Sequence, residues 1–218
     1  GAGTPRIIIE GVAALHGASH TVIPDRIEAG TFMVAAAITN GELHIQNCRL
    51  DHLMAAVDKL RNIGAIVEKN SDGGGCTVAS VRRLEASSLT TQPHPGFPTD
   101  LQAQFMALLA IADGNSVITE KIFPDRFLHV AELSRLGARL HKEGCTVIIQ
   151  GQKKLTGAPV MASDLRASAA LVLAGLAAKG STTVMRVYHI DRGYERIETR
   201  LNAVGAQIKR VSQEDLDL

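Results

Sequence analysis

Apolar and polar positions along the chain form a block that recurs three times. Each block opens with a helix rich in Ala, Leu, Ile or Met, continues into a short β-like run, and adds a second helix ending in Leu-x-x-apolar-Gly-Ala. Glycine after a periodic apolar run is a helix stop signal. The first helices are therefore predicted to end at Gly41, Gly114 and Gly180. The second helices are predicted to end at Gly64, Gly137 and Gly205.

A further strand candidate follows each second helix. These strand candidates are 66–68, 145–150 and 207–211. Each unit is therefore predicted to fold as helix, strand, helix and strand. The three repeats span about 21–80, 88–150 and 153–213. The helix at 166–178 is almost wholly Ala, Leu and Val, so it is expected to be buried on every side. Buried helices with strands outside predict an inside-out α/β domain, and three copies favour a closed pseudo-threefold domain over a solenoid.

The flanks of the repeats are expected to behave differently. Residues 1–20, with a strand candidate at Arg6–Gly11, are interpreted as an interdomain strand or linker that precedes a domain spanning 21–218. The segment Asp72–Gly75 is expected to be a flexible turn. The chain begins with Gly1 rather than Met, so we expect a protein that was processed, cut, or expressed as part of something longer.

Composition narrows the classes of function. The 218 residues include 23 basic and 22 acidic side chains and only 3% aromatic ones, so neither a basic field nor a stacking platform for nucleic acid is indicated. No apolar run approaches the roughly 20 residues that cross a bilayer. The three cysteines, Cys48, Cys76 and Cys145, lack CxxC spacing, and the eight histidines show no metal-ligand spacing. We therefore expect inert thiols, no metal, no cofactor and a cytoplasmic protein.

The segment 93–105, PHPGFPTDLQAQF, places a carboxylate where a rigid loop meets a helix. Its prolines and glycine end any regular element, and the apolar run after them predicts a buried helix. Thr99 and Gln102 fit a capping box, which places Asp100 in the first helical turn, where amides favour the ionised carboxylate. A purely structural Asp at a helix start is the alternative, and the residues alone leave it open.

Four blocks of the sequence resemble one known family in the same order. They are 22–39 (VIPDRIEAGTFMVAAAIT), 93–105 (PHPGFPTDLQAQF), 164–180 (DLRASAALVLAGLAAKG) and 188–201 (YHIDRGYERIETRL). Together they resemble the UDP-N-acetylglucosamine enolpyruvyl transferases of bacterial peptidoglycan synthesis. The resemblance covers essentially the whole chain and implies the inside-out architecture of the enolpyruvyl transferases.

The resemblance implies a reaction and a set of residues. The enolpyruvyl group of phosphoenolpyruvate moves to the 3-hydroxyl of UDP-N-acetylglucosamine, by addition and then loss of phosphate through a tetrahedral intermediate. Asp100 would accept the sugar hydroxyl proton, and Arg192 and Arg166 would face phosphoenolpyruvate. For each arginine a surface salt bridge, with Asp191 or Asp164, is the structural alternative.

Other site residues follow from the same matching. Ile122, beside Phe123, would contact the sugar nucleotide through its backbone, and Arg126 would be a charged neighbour of the Asp100 loop, with Thr99 also at the substrate. The family more often has Glu-Asn where this chain has Pro124-Asp125, which affects the loop conformation. Two further acidic residues are interpreted as helix N-caps, namely Asp25, in a capping box with Glu28, and Asp164.

Parts of the family pattern are missing from the chain. The family's N-terminal Lys-Asn pair, its mobile loop with a proton-donating Cys and its uridine-binding segments have no match here. The chain therefore resembles the C-terminal half of a two-domain enzyme, whose partners would be both substrates and the other half. Alone, it is expected to be inactive, to bind the sugar nucleotide weakly, and to expose a sheet edge that could pair in a dimer.

Two other functions stay open from the sequence. A shikimate-type enolpyruvyl transferase shares the architecture, although its shikimate-contacting motifs find no match here. A free-standing binding or regulatory domain of the same fold is the non-enzyme alternative.

Overall fold

The computed structural model describes residues 1–71 and 73–212. Six α-helices and eleven strands are found among these residues. The helices are α1 (Arg26–Ile38), α2 (Met54–Asn62), α3 (Gln102–Leu109), α4 (His129–Arg135), α5 (Leu165–Ala177) and α6 (Ile197–Asn202). The strands are β1 (Glu42–Gln46), β2 (Ile66–Lys69), β3 (Gly75–Ala79), β4 (Ser88–Thr90), β5 (Asn115–Thr119), β6 (Arg139–Glu143), β7 (Thr146–Gln150), β8 (Leu155–Thr156), β9 (Pro159–Met161), β10 (Ala178–Lys179) and β11 (Thr183–Met185).

The first helix of each repeat lies in the core. Helices α1, α3 and α5 contact one another, and all eight residues of α3 are buried. Their sequences are mostly apolar on every side, so each helix can be surrounded by protein once its few polar side chains are hydrogen-bonded. The predicted inside-out α/β fold with buried helices and outer sheets is confirmed.

Strands pack around this helical core in small sheets. One sheet has the antiparallel order β1-β3-β2, and a second has the order β4-β5-β7-β6, in which only β4 and β5 are parallel. The last repeat makes two short parallel pairs, β8 with β10 and β9 with β11. Side chains of β1 and β6 are mostly exposed, as expected for an outer layer.

The helix ends depart in part from the predicted glycine stops. The second helices are followed by Gly64, Gly137 and Gly205 with φ of 102°, 90° and 103°, a left-handed backbone that favours glycine. By contrast, α1 ends at Ile38 and Asn40, not Gly41, takes a positive φ of 51°. The prediction that Gly114 ends the buried helix was wrong, because α3 stops at Leu109 and further turns precede the glycine.

Two strand candidates from the sequence are not strands in the structure. No strand forms at 207–211 or at Arg6–Gly11 in the described part of the chain. A strand gains stability only when its backbone pairs with a neighbouring strand, and neither segment lies beside one in the described part of the chain. The backbone groups of Ile208 bond instead to the Asn202 side chain, at 2.7 and 2.8 Å. Residues 1–24 form no regular element and are mostly exposed, and the interpretation of 1–20 as an interdomain strand or linker stays a prediction. Asp72 of the predicted turn lies outside the described residues, while Gly73 has a positive φ of 72°.

Candidate active site

Asp100 lies between two arginines that arrive from different repeats. Arg126 donates from Nη1 to Oδ1 of Asp100 at 2.7 Å, and Arg166 donates from Nη2 to Oδ2 at 3.1 Å. Arg126 follows β5 in the same repeat as Asp100, whereas Arg166 lies in the first turn of α5 in the third repeat. The carboxylate is half-buried, and the two guanidinium groups are more enclosed. Each carboxylate oxygen thus holds one charged hydrogen bond.

The two arginines set the charge state of Asp100. Partial burial by itself raises the pKa of this carboxyl, but the Arg126 hydrogen bond and the Arg166 charge outweigh it, so the pKa lies below its usual range. Asp100 is therefore ionised at neutral pH. A carboxylate has about four acceptor positions, so both oxygens keep room for a further donor.

Asp100 reaches this place without the predicted capping box. Thr99 opens a short 3-10 helix, Thr99–Leu101, and makes no cap hydrogen bond, while α3 begins only at Gln102. The Thr99 hydroxyl donates to Glu120 instead, and the Gln102 amide atoms have no partner among the described residues. The loop is anchored by Phe97, whose ring packs edge-on against Phe105 at 4.9 Å between centroids.

Arg166 is fixed by the start of α5. The predicted N-cap Asp164 is confirmed, because its Oδ1 accepts from the amides of Arg166 and Ala167 at 2.9 Å each. Asp164 is therefore occupied by the helix, and the structural alternative of an Arg166–Asp164 salt bridge is wrong. Burial lowers the pKa of Arg166, but the nearby Tyr194 and Asp100 outweigh it and raise the pKa above its usual value.

Tyr194 supports Arg166 from inside the core. Its hydroxyl lies 2.8 Å from the hydroxyl of Thr31 in α1 and 3.5 Å from Nη1 of Arg166, and Gln104 Nε2 lies 3.4 Å away. Burial raises the pKa of this phenol. Through Tyr194 the three buried helices share one polar cluster directly beneath Asp100.

Arg192 differs from the other two arginines. It ends the 3-10 helix Val187–Arg192, is exposed, and has no hydrogen bond or ion pair to any described residue. Its predicted structural alternative fails, because Asp191 pairs with Arg210 at 2.7 Å. Within the described part of the chain, Arg192 is thus a cation without an anionic partner.

Ile122 and Phe123 form a turn on the far side of Arg126. Their amides donate to Oε1 of Glu120 at 2.8 and 3.0 Å, and the Phe123 ring lies 5.6 Å from the Arg126 guanidinium. Phe123 is exposed. Both residues are therefore linked to the Asp100 loop through Glu120 and Arg126, and their contact with a sugar nucleotide stays a prediction.

Sequence reasoning missed two residues of this region. Tyr194 lies inside the Asp-Arg-Gly-Tyr block, so the motif itself carried a signal for it. Glu120 has no motif and no periodicity to mark it. Only the fold shows that it joins two segments of the site.

The described residues also bear on metal sites, membrane spans and disulfides. No group of three or more His, Cys, Asp or Glu that could hold a metal ion occurs in the part of the chain that the structure describes. Likewise, none of the described helices has the length and apolar character to cross a bilayer. All three cysteines are free thiols, with Cys48 and Cys76 buried and their sulfurs 3.5 Å apart.

Curated relatives match almost the whole chain. Proteins named UDP-N-acetylglucosamine 1-carboxyvinyltransferase are 56% identical over 216 residues in Nitratidesulfovibrio vulgaris, 56% over 213 in Lawsonia intracellularis and 57% over 212 in Rhodopseudomonas palustris. These alignments cover 97–98% of the chain but only 49–51% of the relatives. The chain thus spans about half the length of the curated relatives it matches.

Solved structures and a family model agree with this result. The enolpyruvyl transferase NikO of Streptomyces tendae matches with a TM-score of 0.79 at 30% identity, covering 87% of this chain and 45% of NikO. The EPSP synthase of Acinetobacter baumannii shares the fold, with a TM-score of 0.68 at 20% identity over 88% of this chain and 45% of that one. The model of the family described as EPSP synthase (3-phosphoshikimate 1-carboxyvinyltransferase) matches residues 1–201. The chain therefore belongs to the EPSP synthase family.

Proposed function

We propose that this chain supplies one wall of the active site of a UDP-N-acetylglucosamine 1-carboxyvinyltransferase. The complete enzyme would move the enolpyruvyl group of phosphoenolpyruvate to the sugar 3-hydroxyl in cytoplasmic peptidoglycan synthesis. Relatives of that name at 55–57% identity support the substrate assignment. The observation that carries the proposal is Asp100, an ionised carboxylate held by Arg126 and Arg166 with acceptor positions to spare.

Asp100 would act on the sugar hydroxyl. The carboxylate first accepts a hydrogen bond from the 3-hydroxyl and then takes its proton, as the oxygen bonds to C2 of phosphoenolpyruvate and a proton from another group adds to C3. In the second step a proton leaves C3 while the C2–O bond to phosphate breaks, which releases inorganic phosphate and restores the double bond. The lowered pKa of Asp100 makes it a weak base, so its contribution depends on how accurately it is positioned.

The arginines would bind the anionic substrate. Arg192 is exposed and has no charged partner among the described residues, and Arg166 is a mostly buried cation paired with Asp100. Guanidinium groups bind phosphate and carboxylate with two parallel hydrogen bonds, which also stabilise charge that develops during the reaction. We assign both to phosphoenolpyruvate, with Thr99, Arg126 and the Ile122–Phe123 turn on the sugar-nucleotide side.

The chain's length relative to its relatives bears on its activity alone. Because it spans about half of each relative, we propose that the rest of the active site comes from a second half and that the isolated chain is inactive. A fusion to the part of the Nitratidesulfovibrio vulgaris relative that this chain does not match provides that half.

Phosphate release with both substrates tests the proposal. The fusion should release phosphate only when phosphoenolpyruvate and UDP-N-acetylglucosamine are both present, and the isolated chain should release none. Asp100→Asn in the fusion should lower the rate at least about 10²-fold. Asp113→Asn, an exposed residue paired with Arg83 away from the site, serves as the matched control. Clear turnover by the isolated chain, or a fully active Asp100→Asn fusion, would contradict the proposal.

A shikimate-type transferase is the second candidate. It is favoured by the matching family model, whose description names 3-phosphoshikimate as the acceptor. Supplying the fusion with 3-phosphoshikimate in place of the sugar nucleotide separates the two, since only the true acceptor should support phosphate release. We place this candidate second because the curated relatives named here are all sugar-nucleotide enzymes.

A further inference from the structure

Glu120 is a fully buried carboxylate that none of the sequence motifs covers. It lies directly after β5 and has 0% of its surface exposed. Its Oε1 accepts from the Thr91 hydroxyl at 2.6 Å and from the amides of Ile122 and Phe123 at 2.8 and 3.0 Å. Its Oε2 accepts from the Thr99 hydroxyl at 2.9 Å. One side chain therefore joins the segment before Asp100 to the turn of Ile122 and Phe123.

The direction of these hydrogen bonds is determined by their surroundings. The Thr91 oxygen already accepts from the Lys121 amide at 2.8 Å, and the Thr99 oxygen accepts from Arg126 Nη1 at 3.2 Å. Both hydroxyl hydrogens therefore face Glu120. All four of its contacts are with donors, which matches a carboxylate, a group that only accepts. Burying a charge costs free energy unless the charge is hydrogen-bonded, and the four donors around Glu120 offset that cost.

The same network reaches Asp100 in two steps. Arg126 Nη1 contacts the Thr99 hydroxyl and also Oδ1 of Asp100, at 3.2 and 2.7 Å. Thr99 can serve Arg126 as an acceptor because its hydrogen is directed to Glu120. Removing Glu120 frees the Thr99 hydroxyl to rotate, and Arg126 then loses one of its two side-chain hydrogen bonds.

We propose that Glu120 is a positioning residue that fixes the distance between Asp100 and the Ile122–Phe123 turn. The proposal rests on the proposed function, in which Asp100 takes the sugar hydroxyl and the turn contacts the sugar nucleotide. The two oxygens of one rigid carboxylate each hold one of these segments. Their spacing is therefore held within the tolerance of a hydrogen bond, which is the accuracy that a positioned base requires.

The pKa of Asp100 separates positioning from a plain charge effect. Glu120→Ala removes a negative charge, and that loss alone would lower the pKa of Asp100 further. Loss of Arg126 from its position would instead raise it. We expect a raised pKa in the substrate-free isolated chain, measured by titration of the ¹³C-carboxyl resonance of Asp100, assigned by its absence in Asp100→Asn.

Two threonine variants test the proposal even if Glu120→Ala does not fold. Thr99→Val keeps Glu120 and its other three donors but cuts the link to Asp100, so the pKa should again rise. Thr91→Val removes one donor from the same carboxylate and leaves that link intact, so the pKa of Asp100 should not change. A pKa that falls or stays unchanged in both Glu120→Ala and Thr99→Val, with the fold intact by circular dichroism, overturns the proposal.

Activity provides a second readout. In the fusion with the other half, Glu120→Ala should lower kcat about 10²-fold, with a raised KM for UDP-N-acetylglucosamine and an unchanged KM for phosphoenolpyruvate. An equal rise in both KM values, with kcat unchanged, would instead indicate a merely structural role and would count against positioning. If the unmodified fusion lacks transferase activity, the proposed function fails, whereas the Asp100 titration still decides the role of Glu120.

Discussion

At the scale of single residues, the arginines of the candidate site differ in pairing. Arg126 and Arg166 are paired with Asp100, whereas Arg192 has no partner among the described residues. Arg126 and Arg166 neutralise Asp100 and are held by it, so removing any of the three leaves buried or half-buried charge without its partner. Arg192 has no such partner among the described residues. Substitutions of the first group should therefore alter both stability and chemistry, whereas substitution of Arg192 should alter chemistry alone.

Asp100→Asn should destabilise the chain in a pH-dependent way. The folded-state pKa of Asp100 is lowered, so its stabilising contribution is complete above the unfolded value of about 3.9 and is lost as pH falls through the folded value. We expect the variant to lose no more than about 1 kcal/mol of unfolding free energy at pH 7, since the carboxylate is partly exposed to solvent. The difference from the unmodified chain should shrink at acidic pH. Urea unfolding at several pH values measures it.

The neighbouring Asp125 offers a matched control for that titration. Its side chain is exposed and makes no hydrogen bond to any described residue, so Asp125→Asn should leave the free energy of unfolding unchanged at every pH. If Asp100→Asn is as stable as the unmodified chain at pH 7, the two ion pairs contribute nothing to folding.

Arg192→Ala should separate binding from folding. Because Arg192 has no partner in the described chain, its removal should change the unfolding free energy by less than about 0.5 kcal/mol. In the fusion, kcat/KM for phosphoenolpyruvate should fall about 10²-fold or more, as for loss of a group that stabilises an anionic transition state. The control is Arg139→Ala, which removes an exposed arginine of β6 and should retain full activity. Steady-state kinetics that match between the two variants would remove Arg192 from the site.

At the scale of elements, two buried helices begin in the same way. Asp25 caps α1 by accepting from the amides of Ile27 and Glu28 at 2.7 and 3.3 Å, and Asp164 caps α5. The capping box predicted for Asp25 is only half formed, because the Glu28 side chain pairs with Arg200. The third buried helix, α3, has no side-chain cap, and its preceding 3-10 turn carries Asp100.

Removing either cap should lower the unfolding free energy by a similar amount, but only one of the two changes should affect Asp100. Asp25→Ala and Asp164→Ala should each lower the unfolding free energy by about 1 kcal/mol, the usual contribution of an N-cap. Only Asp164→Ala frays the turn that carries Arg166, so only it should raise the pKa of Asp100. Urea unfolding and the carboxyl titration measure the two effects. Asp164→Ser restores a capping oxygen, so the unfolding free energy and the pKa of Asp100 should both return most of the way to their original values. If they do not, the lost charge of Asp164 rather than the lost cap causes the change.

The elements also show what local sequence determines in this fold. The caps at Asp25 and Asp164 and the all-apolar α5 are local signals, so they could be predicted, and so could α2, α4 and α6 from their glycine ends. Thr99 was wrongly predicted as a cap because its hydroxyl has a stronger partner, Glu120, which is close only in the folded chain. Gln207–Val211 has strand-like residues but no neighbouring strand to pair with. In these two cases a partner distant in sequence, present or missing, decided the outcome.

At the scale of the whole molecule, the first residues are the part least used by the fold. Ile7, Ile8, Ile9 and Leu15 are between 67% and 92% exposed and lie in a segment without regular structure. Three successive isoleucines have high β propensity, and apolar surface of this kind is uncommon in a monomer. In the complete protein we expect the remaining half to cover this segment.

In the isolated chain the same segment should promote self-association by strand pairing. The backbone groups of residues 7–15 have no hydrogen-bond partner among the described residues, so a second copy can supply the partner strand. Size-exclusion chromatography with light scattering should show a dimer that grows with protein concentration. Ile8→Pro removes a backbone donor and should shift the equilibrium to monomer, whereas Ile8→Val keeps the donor and the β propensity and should not. If the unmodified chain stays monomeric at hundreds of micromolar, strand pairing through this segment is wrong. If both variants dissociate equally, apolar burial rather than strand pairing holds the dimer.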